Sequence, residues 1–247
     1  MKKLLYLLAV ITLMIACKPK ENKKNEEITD QTEKTVDSLN DEGWVTLFDG
    51  KSFDNWRGYL MDSMANGWTI EDGAMIFTPG VNGRNNIITK KQYTNFILSL
   101  DWKIAEAGNS GIFWGIYEDP KYPEPYESGP EIQVLDNIGH PDGKVGGKTH
   151  QAGALYDMIP PSADVCNPVG EWNHCMITID YNNNKGSVEL NGTEIVTFPV
   201  QGEQWDTMVT NSKFKDWLEF GKHHTGYIGL QDHGSKVWFK NIKIKEL

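Results

Sequence analysis

Asn95-Phe96-Ile97-Leu98-Ser99-Leu100-Asp101-Trp102-Lys103-Ile104 alternates apolar and polar side chains from Leu98 onward. Residues i and i+2 share one face of a strand, so this pattern predicts a strand with one buried face. A Gly108-Asn109 turn follows, and then Ser110 to Tyr117, a second apolar run of strand length. The same grammar repeats outward in both directions. Gly67 to Phe77 reads as a hairpin with Asp72-Gly73 in its turn, and Asn191-Gly192 joins Gly186–Leu190 to Thr193–Phe198. Further strands are expected from Trp44 to Phe48, Asn86 to Thr89, Glu131 onward, Thr149 to Tyr156, Trp172 to Tyr181, Tyr227 to Gln231 and Lys236 to Ile244. A single short helix is expected over Lys213–Phe220, capped by Ser212 and ended by Gly221. Strands spaced by turn chemistry, without alternating helices, predict an all-β fold: a two-sheet antiparallel sandwich or jelly roll over residues 43–247.

The chain ahead of this domain has a different character. Lys2 and Lys3 precede an apolar run from Leu4 to Ile15, too short to span a bilayer, which ends Leu13-Met14-Ile15-Ala16-Cys17. Residues 1–17 therefore read as a bacterial lipoprotein signal with Cys17 as the lipidated residue. Residues 18–42 are almost all charged or polar and lack aromatic side chains, as expected of a flexible linker. The domain is expected in the cell envelope, periplasmic or on the outer surface, held to the membrane by lipid alone. The net charge of −10 argues against nucleic acid, whose phosphates demand basic patches. Cys166 and Cys175 remain; their pairing is left open by the sequence.

Polar side chains with chemical capacity gather in a few places. In Glu131-Ile132-Gln133-Val134-Leu135-Asp136-Asn137, Glu131 and Gln133 share a face, and Asp136 joins them only if a β-bulge re-aims the chain. Thr149 to Tyr156 would place His150, Ala152, Ala154 and Tyr156 on one face, leaving room for a ligand over the alanines. Gly229-Leu230-Gln231-Asp232-His233-Gly234 sets a polar triplet at a strand end, where His233 suits an acid/base or a metal ligand and Asp232 could orient it. Gly108-Asn109-Ser110-Gly111 is rich in hydrogen-bond donors, and Arg84 lies in an asparagine-rich stretch. Nine tryptophans and nine tyrosines suggest sugar stacking. Trp44, Trp68, Trp102 and Trp172 read as core, and Trp114, Tyr122, Tyr126 and Tyr156 as sugar-facing.

Six ordered motifs carry a resemblance: Leu47 to Trp56, Asn109 to Ile112, Glu131 to Asp136, Gly153 to Tyr156, Gly170 to Asn173 and Gly229 to Gly234. Together they resemble the 3-keto-disaccharide hydrolase domain family. The resemblance implies a concanavalin-like jelly roll, of the lectin and glucanase type, acting on glycosides that a separate oxidoreductase has oxidised at C3. A C3 ketone acidifies the C2 proton, so a base can start elimination and water addition then completes hydrolysis. Under that likeness Glu131 is the expected base, with His150, His233 and Asp232 as further catalytic candidates. Gln133, Asn109, Tyr156, Trp114, Arg84 and Gln231 are expected to hold substrate. No organic cofactor is called for. A divalent metal is a candidate Lewis acid, with Glu131, His150 or His233 as its ligands. The strand also resembles the Glu-x-Asp-x-x-Glu strand of laminarinase-type β-glucanases, with Gln133 and Asp136 in place of Asp and Glu. That departure weighs against a retaining two-carboxylate mechanism. A non-catalytic glycan-binding module and a conventional β-glucanase are the alternative readings.

Overall fold

A computed structural model describes residues 43–83 and 85–247. The signal and linker readings, Cys17 and Arg84 lie outside the described residues. Strands β1 (Trp44–Phe48), β2 (Trp56–Gly58), β3 (Trp68–Glu71), β4 (Ala74–Phe77), β5 (Ile87–Thr89) and β6 (Phe96–Ile104) come first. They are followed by β7 (Asn109–Ile116), β8 (Glu131–Leu135), β9 (Asn173–Asp180), β10 (Lys185–Leu190) and β11 (Thr193–Phe198). Helix α1 (Gly202–Thr210) precedes β12 (Tyr227–Leu230) and β13 (Val237–Glu246).

The strands form two antiparallel sheets. One has the order β11-β10-β9-β6-β13-β4-β3, with β1 also on β13; the other has the order β2-β5-β12-β7-β8. The expected sandwich is what forms. Leu98, Leu100 and Trp102 of β6 face Ile112, Ile132 and Leu230 of the smaller sheet in one continuous core. Two hairpin turns follow the residues that encode them. Asp72 and Gly73 have φ of 50° and 74°, and Asn191 and Gly192 have 49° and 80°. Positive φ at both central positions is the turn that matches strand twist.

Period two also decides which face of the smaller sheet meets solvent. In β7, Ile112 and Trp114 point inward while Asn109, Gly111 and Phe113 point outward, and Gly111 pairs with Gln133 and Phe113 with Glu131. A second small cluster of Tyr59, Ile88, Phe113 and Ile116 seals part of this outer face, with Tyr126 and Tyr227 packed on it. The loop that carries Tyr126 is tied down by Glu118, which accepts from both Arg57 amino groups at 2.7 and 2.6 Å and from Leu60 N at 2.7 Å. The rest of that face stays open.

Several expectations need correction. Trp114 is 3% exposed and packs on Phe198 with ring centroids 5.7 Å apart, so it is core and faces no sugar. Trp44 and Trp172 are half-buried, each beneath a lysine ammonium (Lys243 and Lys240), so they are not core. Residues 149–156 are a series of turns, broken by Gly153 at φ 82°. They still follow the free edge of β8, through Gly153 N to Gln133 O, Gln133 N to Ala154 O and Tyr156 N to Glu131 O. Ala152 and Ala154 are buried, so no ligand lies over them. The helix lies at Gly202–Thr210, and residues 212–220 form consecutive turns. Phe214 and Phe220 stack at 3.9 Å. In a helix six residues would separate them by about 9 Å along the axis, so ring stacking wins over helix continuation. Ser212 therefore caps no helix; its Oγ accepts from Phe214 N at 3.1 Å and closes a turn. Cys166 and Cys175 are free thiols.

Candidate active site

The open part of the outer face is a cleft of about 550 Å³. Its floor comes from three neighbouring strands: Glu131 and Gln133 of β8, Asn109 of β7, and Gln231 just after β12. Asn85, Asn86, Asp232 and His233 line one side, and Tyr126, Tyr156, Lys213 and Trp217 another. Sequence alternation had joined Glu131 with Gln133, and sheet order brings them to Asn109 and Gln231.

Glu131 is the one carboxylate in the middle of this floor. It is 7% exposed, and among the described residues its carboxylate accepts no hydrogen bond. Burial pushes its pKa up to about 8; the Lys213 ammonium opposes this and the Asp142 charge adds to it. Space for the carboxylate comes from the neighbouring strand. A Cβ at Gly111 would overlap Glu131 Oε1, so a glycine at this position of β7 is a requirement of the site. Beside it, Gln133 Oε1 and Gln231 Oε1 are buried without a hydrogen-bond partner among the described residues. Gln133 is fixed from its other end, its Nε2 donating to His150 O at 3.3 Å. Unpartnered buried amides are costly to a folded chain, and a ligand that donates hydrogen bonds would satisfy them.

His150 stands behind the site and not in it. Its Nδ1 lies 2.7 Å from Asp142 Oδ1 and its Nε2 2.9 Å from Asp157 Oδ1. Asp142 also accepts from Tyr156 Oη at 3.0 Å, and Asp157 Oδ2 accepts from Lys213 N at 2.7 Å. His150 thus ties together the segments that present Tyr156 and Lys213. Both ring nitrogens are engaged by aspartates, and His150 does not line the cleft. Burial raises the Asp142 pKa, but the bonds from His150 and Tyr156 outweigh it and hold the carboxyl below the usual range. Burial, reinforced by Asp142, raises the Tyr156 pKa, keeping the phenol protonated. The Lys213 ammonium lies over the Tyr156 ring at 4.1 Å.

Asp232 does not orient His233. Its Oδ2 accepts from Asn85 Nδ2 at 3.2 Å and its Oδ1 from Gly234 N at 2.7 Å, while its own N donates to Asn86 Oδ1 at 2.9 Å. Asn86 Nδ2 in turn donates to Glu124 Oε2 at 2.7 Å. Asp232 is a brace for the cleft wall. His233 is exposed at the rim, edge-on to His140. Asp136 lies outside the cleft. Its carboxylate accepts from the N–H groups of Ala107, Ile138 and Gly139 at 2.8, 3.1 and 2.9 Å. Burial raises its pKa, but these three bonds prevail and lower it. It caps a turn and does not line the cleft, and the other carboxylates that do, Glu124 and Asp232, accept from Asn86 and Asn85.

Lys213, Trp217, Asn85 and Asn86 were not assigned roles from the sequence. The asparagines lie in the stretch that drew attention to Arg84, so a local signal existed. Lys213 carried none, because its approach to Glu131 depends on a fold-back of eighty residues of chain.

Solved structures with this architecture come from Parabacteroides distasonis. One, a candidate glycosyl hydrolase, is 35% identical, with a TM-score of 0.77 over 83% of this chain and 95% of that one. A second, likewise described, is 26% identical, with a TM-score of 0.62 over 83% and 99%. The fold is that of a β-sandwich glycosyl hydrolase. A 3-keto-disaccharide hydrolase of Bacteroides thetaiotaomicron is 39% identical over 233 residues, 83% of this chain and 79% of the relative. The model of the 3-keto-alpha-glucoside-1,2-lyase-like domain matches residues 43–245, and the chain belongs to that family.

Proposed function

We propose that this chain, a hydrolase of that family, cleaves the glycosidic bond of 3-keto-disaccharides by elimination and hydration, with Glu131 as the base. The observation that carries the reading is a buried carboxylate on the cleft floor, its pKa raised to about 8, flanked by the amides of Asn109, Gln133 and Gln231, the Tyr156 phenol and Lys213. A base poised near the working pH suits removal of a C–H proton next to a carbonyl. Glu131 takes the C2 proton, the electron pair moves to make the C3 oxygen an enolate, and the enolate expels the C1 oxygen substituent. The leaving oxygen takes up a proton. Water then adds at C1 and C2 regains a proton, so the sum is hydrolysis. Lys213, which lines the same cleft and whose charge acts on Glu131, is suited to the enolate charge. The unpartnered oxygens of Gln133 and Gln231 are suited to sugar hydroxyls, with Asn109 beside them.

Among the described residues no three His, Cys, Asp or Glu side chains converge as a metal site. The donors that fit a divalent cation are the Glu131 carboxylate and the Gln133 and Gln231 amide oxygens. Such hard oxygens suit a magnesium- or calcium-type ion. When bound, that ion would supply Lewis-acid polarisation of the substrate carbonyl. The ketone requires a separate oxidoreductase acting first, and the amino-terminal segment is read as a lipid anchor at Cys17 placing the domain in the envelope.

The test is isotopic. Turnover of a 3-keto-disaccharide in deuterated water is expected to leave deuterium at C2 of the keto sugar, and Glu131→Gln to abolish its incorporation. Wild-type cleavage without C2 deuterium would point to direct displacement at C1 and defeat the elimination route.

A further inference from the structure

The outer face of the larger sheet carries a ladder of lysines and indoles. Strand alternation sends Lys103 of β6 and Trp238 and Lys240 of β13 outward, while their neighbours Trp102, Ile104, Val237 and Phe239 are buried. Register sets Lys103 opposite Trp238. The Lys103 ammonium lies 4.5 Å from the centre of the Trp238 ring and 4.9 Å from that of Trp172. Lys236 lies 5.1 Å over Trp238, and Lys240 4.1 Å over Trp172. Further along β13, Lys243 stands 5.2 Å over Trp44, and Lys245 pairs with Trp44 across β1. Each indole lies under at least one ammonium, and cation–π attraction offsets the mutual repulsion of the cations. Asp101, opposite Lys240, is turned to other groups: its Oδ1 lies 2.7 Å from His174 Nδ1 and its Oδ2 accepts from Asn241 Nδ2 at 2.7 Å. A net charge of −10 conceals this basic face.

We propose that this face docks on an anionic phospholipid surface, with the indoles at headgroup level and the ammoniums at the phosphates, and that the cleft then faces away from it. Lysine and tryptophan suit a membrane interface together: the ammonium attracts headgroup charge, and the indole sits where apolar and wet regions meet. The chain also enters the domain on this face. Gly43 lies against the Lys245 side chain, where a Cβ would stand 3.3 Å from Lys245 Cε. Read as a flexible linker, residues 18–42 hold the domain within about 25–30 Å of a lipid at Cys17. Tethering of that kind populates even a weak contact, because the local concentration is high. The docking rests on that anchor reading. The two sheets pack inner face to inner face, and the cleft opens on the outer face of the smaller one. Docking by the larger sheet therefore leaves Glu131 open to soluble substrate.

The test is lysine footprinting of the full lipidated chain on vesicles. Brief acetylation, read by mass spectrometry, is compared on neutral phosphatidylcholine vesicles and on vesicles with about one-third phosphatidylglycerol. Lys103, Lys236 and Lys240 are expected to react at least about threefold more slowly on the anionic vesicles, and high salt should erase the difference. Lys213 in the cleft, and the exposed Lys121 and Lys215, should keep their rates on both. Lys103→Glu combined with Lys240→Glu should level the Lys236 rate and leave cleavage of a 3-keto-disaccharide unchanged. The comparison on wild type needs no variant, so a misfolded double mutant does not blunt it. Equal patch labelling on the two vesicles overturns the docking. Protection by a soluble acidic polysaccharide that matches or exceeds protection by the anionic vesicles also overturns it, in favour of a glycan-binding face. Flotation with the neutral vesicles reports on the anchor separately. A chain that fails to float there loses the lipid reading, while salt-sensitive patch protection on the anionic vesicles would still uphold the face, and its absence would still refute it.

Discussion

Replacing Glu131 by glutamine tests whether the carboxylate is as unfavourably placed as its surroundings indicate. The perturbation is nearly isosteric and removes only the charge. Burial holds the folded pKa near 8, against 4.5 for the free side chain. The folded state therefore holds the proton more tightly than the unfolded chain. Stability from this group is fully present below about pH 4.5, declines as pH rises toward 8, and is lost above it. At about 1.36 kcal/mol per pH unit the full difference is roughly 5 kcal/mol, and water in the open cleft reduces it to roughly 2–4 kcal/mol. Urea unfolding of the wild type and Glu131→Gln at pH 5, 7 and 9 measures it. The variant should match the wild type near pH 5 and exceed it by roughly 2–4 kcal/mol at pH 9. Parallel curves at all three pH values would refute the buried-carboxylate argument. The same group predicts that kcat/KM rises with pH along a limb centred near 8, since the base works ionised.

Three other changes probe the frame around it. Gly111→Ala puts a methyl where Glu131 Oε1 lies; a stability loss of about 1–3 kcal/mol and at least a ~100-fold fall in kcat/KM are expected from denaturation and steady-state kinetics. His150→Ala removes one hydrogen bond from each of Asp142 and Asp157, which keep their bonds from Tyr156 and Lys213, so about 1–3 kcal/mol of stability should go, read by urea midpoint. Its activity loss should appear mainly in kcat, because Tyr156 and Lys213 are displaced rather than removed. Asp136→Asn gives up part of a three-fold backbone cap, lowering stability by about 1–2 kcal/mol with kcat within about twofold of the wild type. A catalytic collapse in that variant would revive the two-carboxylate mechanism.

The sandwich was legible because strand alternation and paired positive-φ turns are local. Asp72-Gly73 and Asn191-Gly192 adopt the turn their residue types favour, and β8 presents Glu131 and Gln133 together as period two requires. The misplacement of Trp114 was avoidable on the same rule, since it shares the parity of Ile112 and so points inward. Residues 149–156 and 212–220 were not legible. In the first, Gly153 interrupts an apparent strand; in the second, an aromatic stack across six residues overrides helix signals. The site divides along the same line. Gln133 and Asn109 were found because they lie in strands and Gln231 because it directly follows one, whereas the role of His150 as a tie between two aspartates depends on loops that meet only after folding.

The most direct test pairs a 3-keto-glucoside with its unoxidised parent, against wild type and Glu131→Gln. The wild type should cleave the keto substrate and leave the parent intact, with the variant slower by roughly 10²–10⁴-fold on the keto substrate. Comparable cleavage of the parent, or a folded variant working at the wild-type rate, would contradict Glu131 as the base of a keto-dependent hydrolysis.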